Sequence, residues 1–208
     1  MARINDSAAT RTSLLEAARD VIRAKGYAAA TVDDICAAAG VTKGGFFHHF
    51  ASKERLGIAA AEEFNAAAAA LFAAAPYRSD PDPLHRVLGY VDFRASLLQR
   101  DIVQFSCLLG TMVQEVHSTH PALRATCDRE MSAHVADLVR DLEEAKSRYV
   151  PDAPWSAESV GYFMQSVLQG AFIFAKAKQS PETAAESLCH LRRYLETIFN
   201  QPLKEAVP

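Results

Sequence analysis

The stretch LLEAARDVIRAKGYAAATVDDICAAAGVTKGGFFHHFASKERL, residues 14–56, decides how the rest of the chain is read. Leu14, Leu15, Ala18, Val21 and Ile22 recur at the spacing of one helical face, and Gly26 follows as a stop. Ser13 and Glu16 have the spacing of a capping box at the start of this helix. A short helix comes next, opened by Thr31 with Asp34 three residues on and closed at Gly40. Past the tight turn Ala39-Gly40-Val41, Thr42 opens a second short helix to about Phe50. Ser52 then begins a long alanine-rich helix through Leu56, Phe64 and Leu71 to Ala75. Two short helices across a glycine turn are a helix-turn-helix, and the second of them has the size to lie in a DNA major groove.

The whole chain is less obviously suited to DNA. It has 208 residues, 50% of them apolar and 23% charged, with a formal charge of −3. That length holds one large domain or a small and a medium one, and the balance excludes a disordered chain or a uniformly basic nucleic-acid binder. The charge is uneven, however. Residues 1–56 carry eight basic and six acidic groups, a net of +2, which leaves −5 for the remainder. An acidic body directs contact with a polyanion to the N-terminal part. No apolar run approaches the roughly 18 to 20 residues that span a bilayer, and the N-terminus has no signal-like apolar core, so a cytoplasmic protein without a membrane partner is expected. Cys36, Cys107, Cys127 and Cys189 are widely spaced, form no C-x-x-C pair and are expected as free thiols.

Beyond residue 75, PYRSDPDP (76–83) reads as a loop. Helices are predicted near 84–98, 101–118, 122–148, 156–178 and 181–200, the last with Ser180 as N-cap and Pro181 in its first turn. No alternating run of β-branched residues reads as a strand. The fold class is all-α: a three-helix helix-turn-helix domain over 1–52, and a helical effector-binding and dimerisation domain over 53–208. In 156–178, Val160, Met164, Val167, Ala171 and Phe174 form one stripe, and Phe163, Leu168, Phe172 and Ala175 a neighbouring one. A helix apolar nearly all round buries both sides, so one stripe is assigned to the core and the other, with Leu188, Leu191, Leu195 and Ile198 of 181–200, to a twofold-related copy.

Within the first domain, Lys43 reaches a phosphate or a guanine edge, Gly44 and Gly45 let the backbone approach DNA, and the helix starts at Thr31, Thr42 and Ser52 offer N–H groups to phosphates, with Lys53 adding a cation. These residues resemble the N-terminal domain of the TetR family of transcriptional regulators, whose recurring features are matched by Gly26-Tyr27, Thr31, Ile35, Ala38, Gly40-Val41, Lys43-Gly44, Phe47, His49-Phe50 and Ser52-Lys53-Glu54. The resemblance implies a repressor that binds double-stranded operator DNA as a homodimer through its last two helices and is released by a small-molecule effector. It adds phosphate contacts from His48 and His49. Where the family usually has a tyrosine whose hydroxyl bonds a phosphate, this chain has Phe47, which has no donor. Phe46 and Phe50 read as core.

For the effector, Phe64, Tyr90, Phe93, Phe105, Met112, Phe163 and Phe172 are candidate pocket walls, with Gln104 and Gln165 as polar anchors and Cys107 beside them. FSCLLGTMVQEVHSTHPALR (105–124) resembles a branch of the family with a cysteine opening the sixth helix, in some members a sensor of electrophiles. The plain alternative is a buried, inert thiol. His117 and His120 beside Glu115 read as a solvated helix end, and no metal or cofactor is expected. The competing function is an all-helical small-molecule-binding protein or enzyme that does not regulate transcription, but the chain has no H-E-x-x-H, G-x-S-x-G or G-x-x-x-x-G-K-[ST].

Overall fold

The computed structural model describes residues 2–200. Among them are ten α-helices and one 3-10 turn, and no strand: α1 (Ala2–Lys25), α2 (Val32–Ala39), α3 (Lys43–His49), α4 (Lys53–Ala73), the 3-10 turn Pro76–Ser79, α5 (Pro83–Leu97), α6 (Ile102–Phe105), α7 (Leu108–Val116), α8 (Pro121–Tyr149), α9 (Ala157–Lys178) and α10 (Glu182–Ile198). Several expectations are corrected. Ser13 and Glu16 lie inside α1 and cap nothing at its start. The segment 76–83 holds a helical turn, not only a loop. The single helix expected over 101–118 is two, because Cys107 adopts an extended conformation (φ −80°, ψ 122°) and its Sγ accepts the Gly110 N–H at 3.3 Å, capping α7. At the other end of the chain, the last helix starts one residue later than expected, with Pro181 and not Ser180 at the N-cap position, although the Ser180 hydroxyl still accepts the Glu182 N–H at 3.2 Å.

The helices form two compact units. The first contains residues up to Ala69 together with Ser106–Met131. Its core brings Leu14, Leu15, Ala18 and Ile22 of α1 against Ile35 of α2, Phe46 of α3, Phe50 and Leu56, and is closed by Leu108, Leu109, Met112 and Val116 of α7 and by Leu123 and Cys127 of α8. Most of these side chains are fully enclosed, and each of the leucines, isoleucines and phenylalanines contributes about 1.5–3 kcal/mol relative to an exposed position. Gly40 in the left-handed region (φ 66°) ends α2, with its N–H turned back to Ala37 and Cys36 carbonyls. By length and composition α4 is apolar enough to cross a membrane, against the expectation above. Alanine supplies that apolarity, however, and Glu62, paired to Arg129 at 2.9 Å, and Asn65, bonded to Glu130 at 2.8 Å, sit in its middle.

The second unit contains Ala70–Phe105 and the chain from Ser132 onward. Here α9 packs on α10, α10 on α5 and α6 on α9. Leu84, Tyr90, Leu142, Met164, Leu168, Leu188, Leu191, Leu195 and Phe199 are buried together. The buried Asp141 is gripped by Arg78 and by Arg86, the latter at 2.8 Å, and Arg86 also reaches Glu144. Arg192 joins Asp92 at 2.7 Å and the buried Glu196 at 3.2 Å. A buried acid without such a partner would destabilise the unit strongly.

The two glycines of α3 have different reasons to be glycine. A Cβ on Gly45 would stand 2.8 Å from Val41 Cγ1, whereas one on Gly44 would meet only Thr42 Oγ1 at 3.9 Å. Gly44→Ala is therefore expected to stabilise the fold by up to about 1 kcal/mol through helix propensity, and Gly45→Ala to destabilise it by about 1–3 kcal/mol through overpacking. Urea unfolding of the two variants in parallel measures the difference in sign.

Candidate functional site

On α3 the buried side is Phe46, fully enclosed, while Lys43, Gly44, Phe47 and His48 lie on the opposite, exposed side and His49 is half-buried at its edge. Thr42 caps the helix, its Oγ1 accepting the Gly45 N–H at 3.1 Å. Phe47 is 54% exposed, its ring edge-on to Phe46 at 5.1 Å. Packed only edge-on against Phe46, the ring keeps more than half its surface exposed, and it can meet a thymine methyl or a sugar. Lys43 is paired with Asp33 of α2 at 2.8 Å, which raises its pKa, but the pair is exposed and readily exchanged for a phosphate.

Three other residues expected at DNA have internal tasks. Lys53 donates to the carbonyl oxygens of Tyr27 and Ala30, each at 2.9 Å, and lies over the Tyr27 ring at 4.4 Å; burial pushes its pKa down. It holds the α1–α2 turn. Thr31 is the N-cap of a complete capping box with Asp34: Oγ1 accepts the Asp34 N–H at 3.0 Å, and the Asp34 carboxylate accepts the Thr31 N–H at 3.0 Å. Lys25 at 2.8 Å, with Thr31, pulls the Asp34 carboxyl well below the ordinary carboxylate range. Asp33 and Asp34 make the first turn of α2 acidic, while that of α3 has no acid. Gly45 is required by Val41, so close backbone approach falls to Gly44 alone.

The expected pocket residues separate. Phe64, Cys107 and Met112 belong to the first unit and the other seven to the second. Met112 is wholly enclosed in the first core and Cys107 caps α7, so neither is a free wall. Gln104 is exposed. Phe163 is 42% exposed and stacks on Tyr194 at 4.8 Å on the outer side of α9, not toward the interior. Phe105 and Phe172 pair at 5.7 Å.

Tyr90, Phe93 and Gln165 do converge, in company that the sequence reading missed. Phe72 meets Tyr90 at 5.4 Å and Phe93 at 5.6 Å, and Tyr77 meets Phe93 at 6.0 Å. Among these rings the buried Tyr90 hydroxyl receives Gln165 Nε2 at 2.8 Å and Arg94 Nε at 2.9 Å, and it lies 2.9 Å from His134 Nε2. Arg94 one turn after Tyr90 on an otherwise apolar face of α5 was the available signal; the sequence had no means of placing His134 of α8 beside it.

Burial and the Arg94 cation hold the His134 pKa down at about 3 instead of 6.5. The unfolded chain takes up this proton near its ordinary pKa and the folded protein only near pH 3, so the stability present above about pH 6.5 is lost as pH falls through that window. Urea midpoints measured from pH 7 to pH 4 are expected to decline, and His134→Gln to make the decline shallower.

The two stripes of α9 also divide differently from the expectation. Val160, Met164, Leu168, Ala171, Phe172 and Ala175 are buried within the unit, as are Leu188, Leu191 and Leu195 of α10. The outward apolar residues are Tyr162, Phe163, Ile173 and Phe174, with Tyr194 of α10. Gly170 lies along this row, and a Cβ there would meet nothing within 4 Å.

The family model described as bacterial regulatory proteins, tetR family, matches residues 14–60, and that of a tetracyclin repressor-like C-terminal domain matches residues 83–191. The transcriptional regulator AcuR of Cereibacter sphaeroides is 27% identical over 183 residues, 85% of this chain and 81% of AcuR. The HTH-type transcriptional repressor NemR of Escherichia coli K12 is 22% identical over 188 residues, 90% of this chain and 94% of NemR. In fold, a TetR transcriptional regulator from Chloroflexus aurantiacus matches with a TM-score of 0.80 at 22% identity, over 97% of this chain and 100% of that one. With a helix-turn-helix whose α3 presents a polar, glycine-relieved face, and with both halves matched by their family models, the chain belongs to the TetR family of transcriptional regulators.

Proposed function

We propose that the protein is a cytoplasmic homodimeric repressor, released from its operator when a small molecule binds the second unit. Regulators of this family bind operator DNA and small-molecule effectors and act as dimers. The observation that carries the reading is the exposed face of α3, where Lys43, Gly44, Phe47 and His48 stand free of the core with Thr42 and His49 at the edges. In the proposed complex this face enters the major groove, while Thr31, Gly45 and Lys53 set its frame. Two such heads on half-sites one helical turn apart supply the contacts that one short helix lacks.

For the second copy, the row Phe163, Ile173 and Phe174 on α9 with Tyr162 and Tyr194 is the proposed seat, replacing the α10 leucines that the core has taken. Exposed rings clustered in this way favour association. For the effector, Tyr90, Phe93, Phe105, Gln165 and Phe172 are the proposed contacts. A ligand there releases DNA only insofar as it binds the non-DNA conformation more tightly. The enzyme alternative is not favoured, since the relatives are regulators.

A gel shift against the region flanking the protein's own gene tests the reading: a specific complex that weakens with salt is expected, and none at low salt overturns it. Lys43→Ala is expected to weaken that complex several-fold and to lower the salt slope by about one. Phe47→Tyr supplies the missing hydroxyl and is expected to tighten it by about 1 kcal/mol, roughly fivefold. Phe174→Asp is expected to yield a folded monomer by sedimentation and to abolish the specific complex.

A further inference from the structure

The arginines of the second unit are not alike. Arg78 and Arg86 hold Asp141, and Arg192 holds Asp92 and Glu196. Arg94 is also half-buried, yet among the described residues no carboxylate lies within 4.0 Å of its guanidinium. What surrounds it is neutral: the Phe72 ring at 4.4 Å, the Tyr90 ring at 5.4 Å, the Tyr90 hydroxyl at 2.9 Å and His134 Nε2 at 3.2 Å. A cation in an aromatic surround gains from the ring faces, but it lacks the counter-charge that a partly desolvated guanidinium favours most.

The hydrogen bonds fix an orientation. Tyr90 Oη accepts from Arg94 Nε and Gln165 Nε2, so its own proton points to His134 Nε2. The imidazole is then an acceptor at Nε2 and carries its proton on Nδ1. It adds no charge, so the cluster keeps a single positive charge. Among the described residues these bonds use Nε–H and one N–H of Nη2, and the second Nη2 N–H beside Nη1 forms the edge that receives two carboxylate oxygens side by side. Phe72 lies against the guanidinium, and Phe93, 5.6 Å from Phe72, and Tyr77, 6.0 Å from Phe93, continue the aromatic surface from it.

We propose that Arg94, held by Tyr90, His134 and Gln165, anchors the carboxylate of a small organic acid whose hydrocarbon part lies on Phe72, Tyr77 and Phe93, and that this acid is the effector of the regulator. The proposal rests on the ligand-responsive reading above and names the chemical class. Benzoate, phenylacetate and hexanoate, each with its primary amide, are to be titrated calorimetrically at millimolar concentration into the full-length protein without DNA, with inorganic phosphate as a separate arm. At least one acid is expected to bind, with its amide and with phosphate weaker by at least about tenfold. Amides binding as well as acids, phosphate binding as well as the acids, or no acid binding at all overturns the site.

Arg94→Met is expected to lose the acid by at least about tenfold with unchanged helicity and operator affinity, and Arg94→Lys to retain part of the binding. If Arg94→Met does not fold, the comparison of acid with amide on the unaltered protein still decides. Release from DNA is read separately in the gel shift. Acid binding without release keeps the carboxylate site and overturns its role as effector site, whereas failure to find any operator complex overturns the regulator reading and leaves the calorimetric result standing.

Discussion

The α1–α2 turn is the constraint on which the DNA-reading unit depends. Gly26 (φ 87°) lets the chain reverse direction, and two charged side chains from distant parts of the sequence hold the result. Lys53 donates to the carbonyl oxygens of Tyr27 and Ala30, and Glu115 of α7 accepts the Ala28 N–H at 2.6 Å. The backbone angle is what requires glycine at residue 26, and a Cβ there would also stand 2.2 Å from the Glu115 carboxylate and push it from its bond to Ala28. His120 completes the grip, edge-on to Tyr27 at 5.3 Å. Charged groups bonded to main-chain donors and acceptors make stronger bonds than neutral pairs, and here they fix where α2, and with it α3, leaves α1.

The grip gives α7 a part in positioning the reading helix. The same residues that close the core of the first unit, Leu108, Leu109, Met112 and Val116, stand on the helix that carries Glu115. A small displacement of α7 acts on the α1–α2 turn through both packing and a hydrogen bond. Close-packed cores pass on such displacements instead of absorbing them. Cys107, as the N-cap of α7, sits at the start of that helix and sets where it begins.

In the second unit four acids are met by arginines, but not every half-buried cation has an acid in return. The buried Asp141 and Glu196, and the exposed Asp92 and Glu144, are each met by an arginine, and for the buried pair this is how a helical core tolerates charge. Arg94 breaks the pattern, with a ring, a hydroxyl and an imidazole in place of an acid.

Much of this was legible along the chain. Local signals are short-range, so the Thr31–Asp34 capping box, the Gly40 stop, the Thr42 cap and the inward Phe46 and Phe50 could be read directly, and with them the helix-turn-helix and the family. What failed were readings that need to know which face meets what. Helical periodicity identifies apolar stripes on α9 and α10 but is silent on which is covered, so Leu188, Leu191 and Leu195 were given to a partner and belong to the core, while Phe163 was given to a pocket and faces outward. The break at Cys107 escaped because a thiol is a weak capping group with little sequence signal. By itself the sequence determined most of the helices, the caps at Thr31, Gly40 and Thr42, and the helix-turn-helix, since those depend on neighbours within a few residues. Only the tertiary structure decided that Lys53 serves the α1–α2 turn, that Glu115 closes on it, and that His134 and Gln165 meet Tyr90, because those contacts join residues between 23 and 87 positions apart whose encounter no local pattern records.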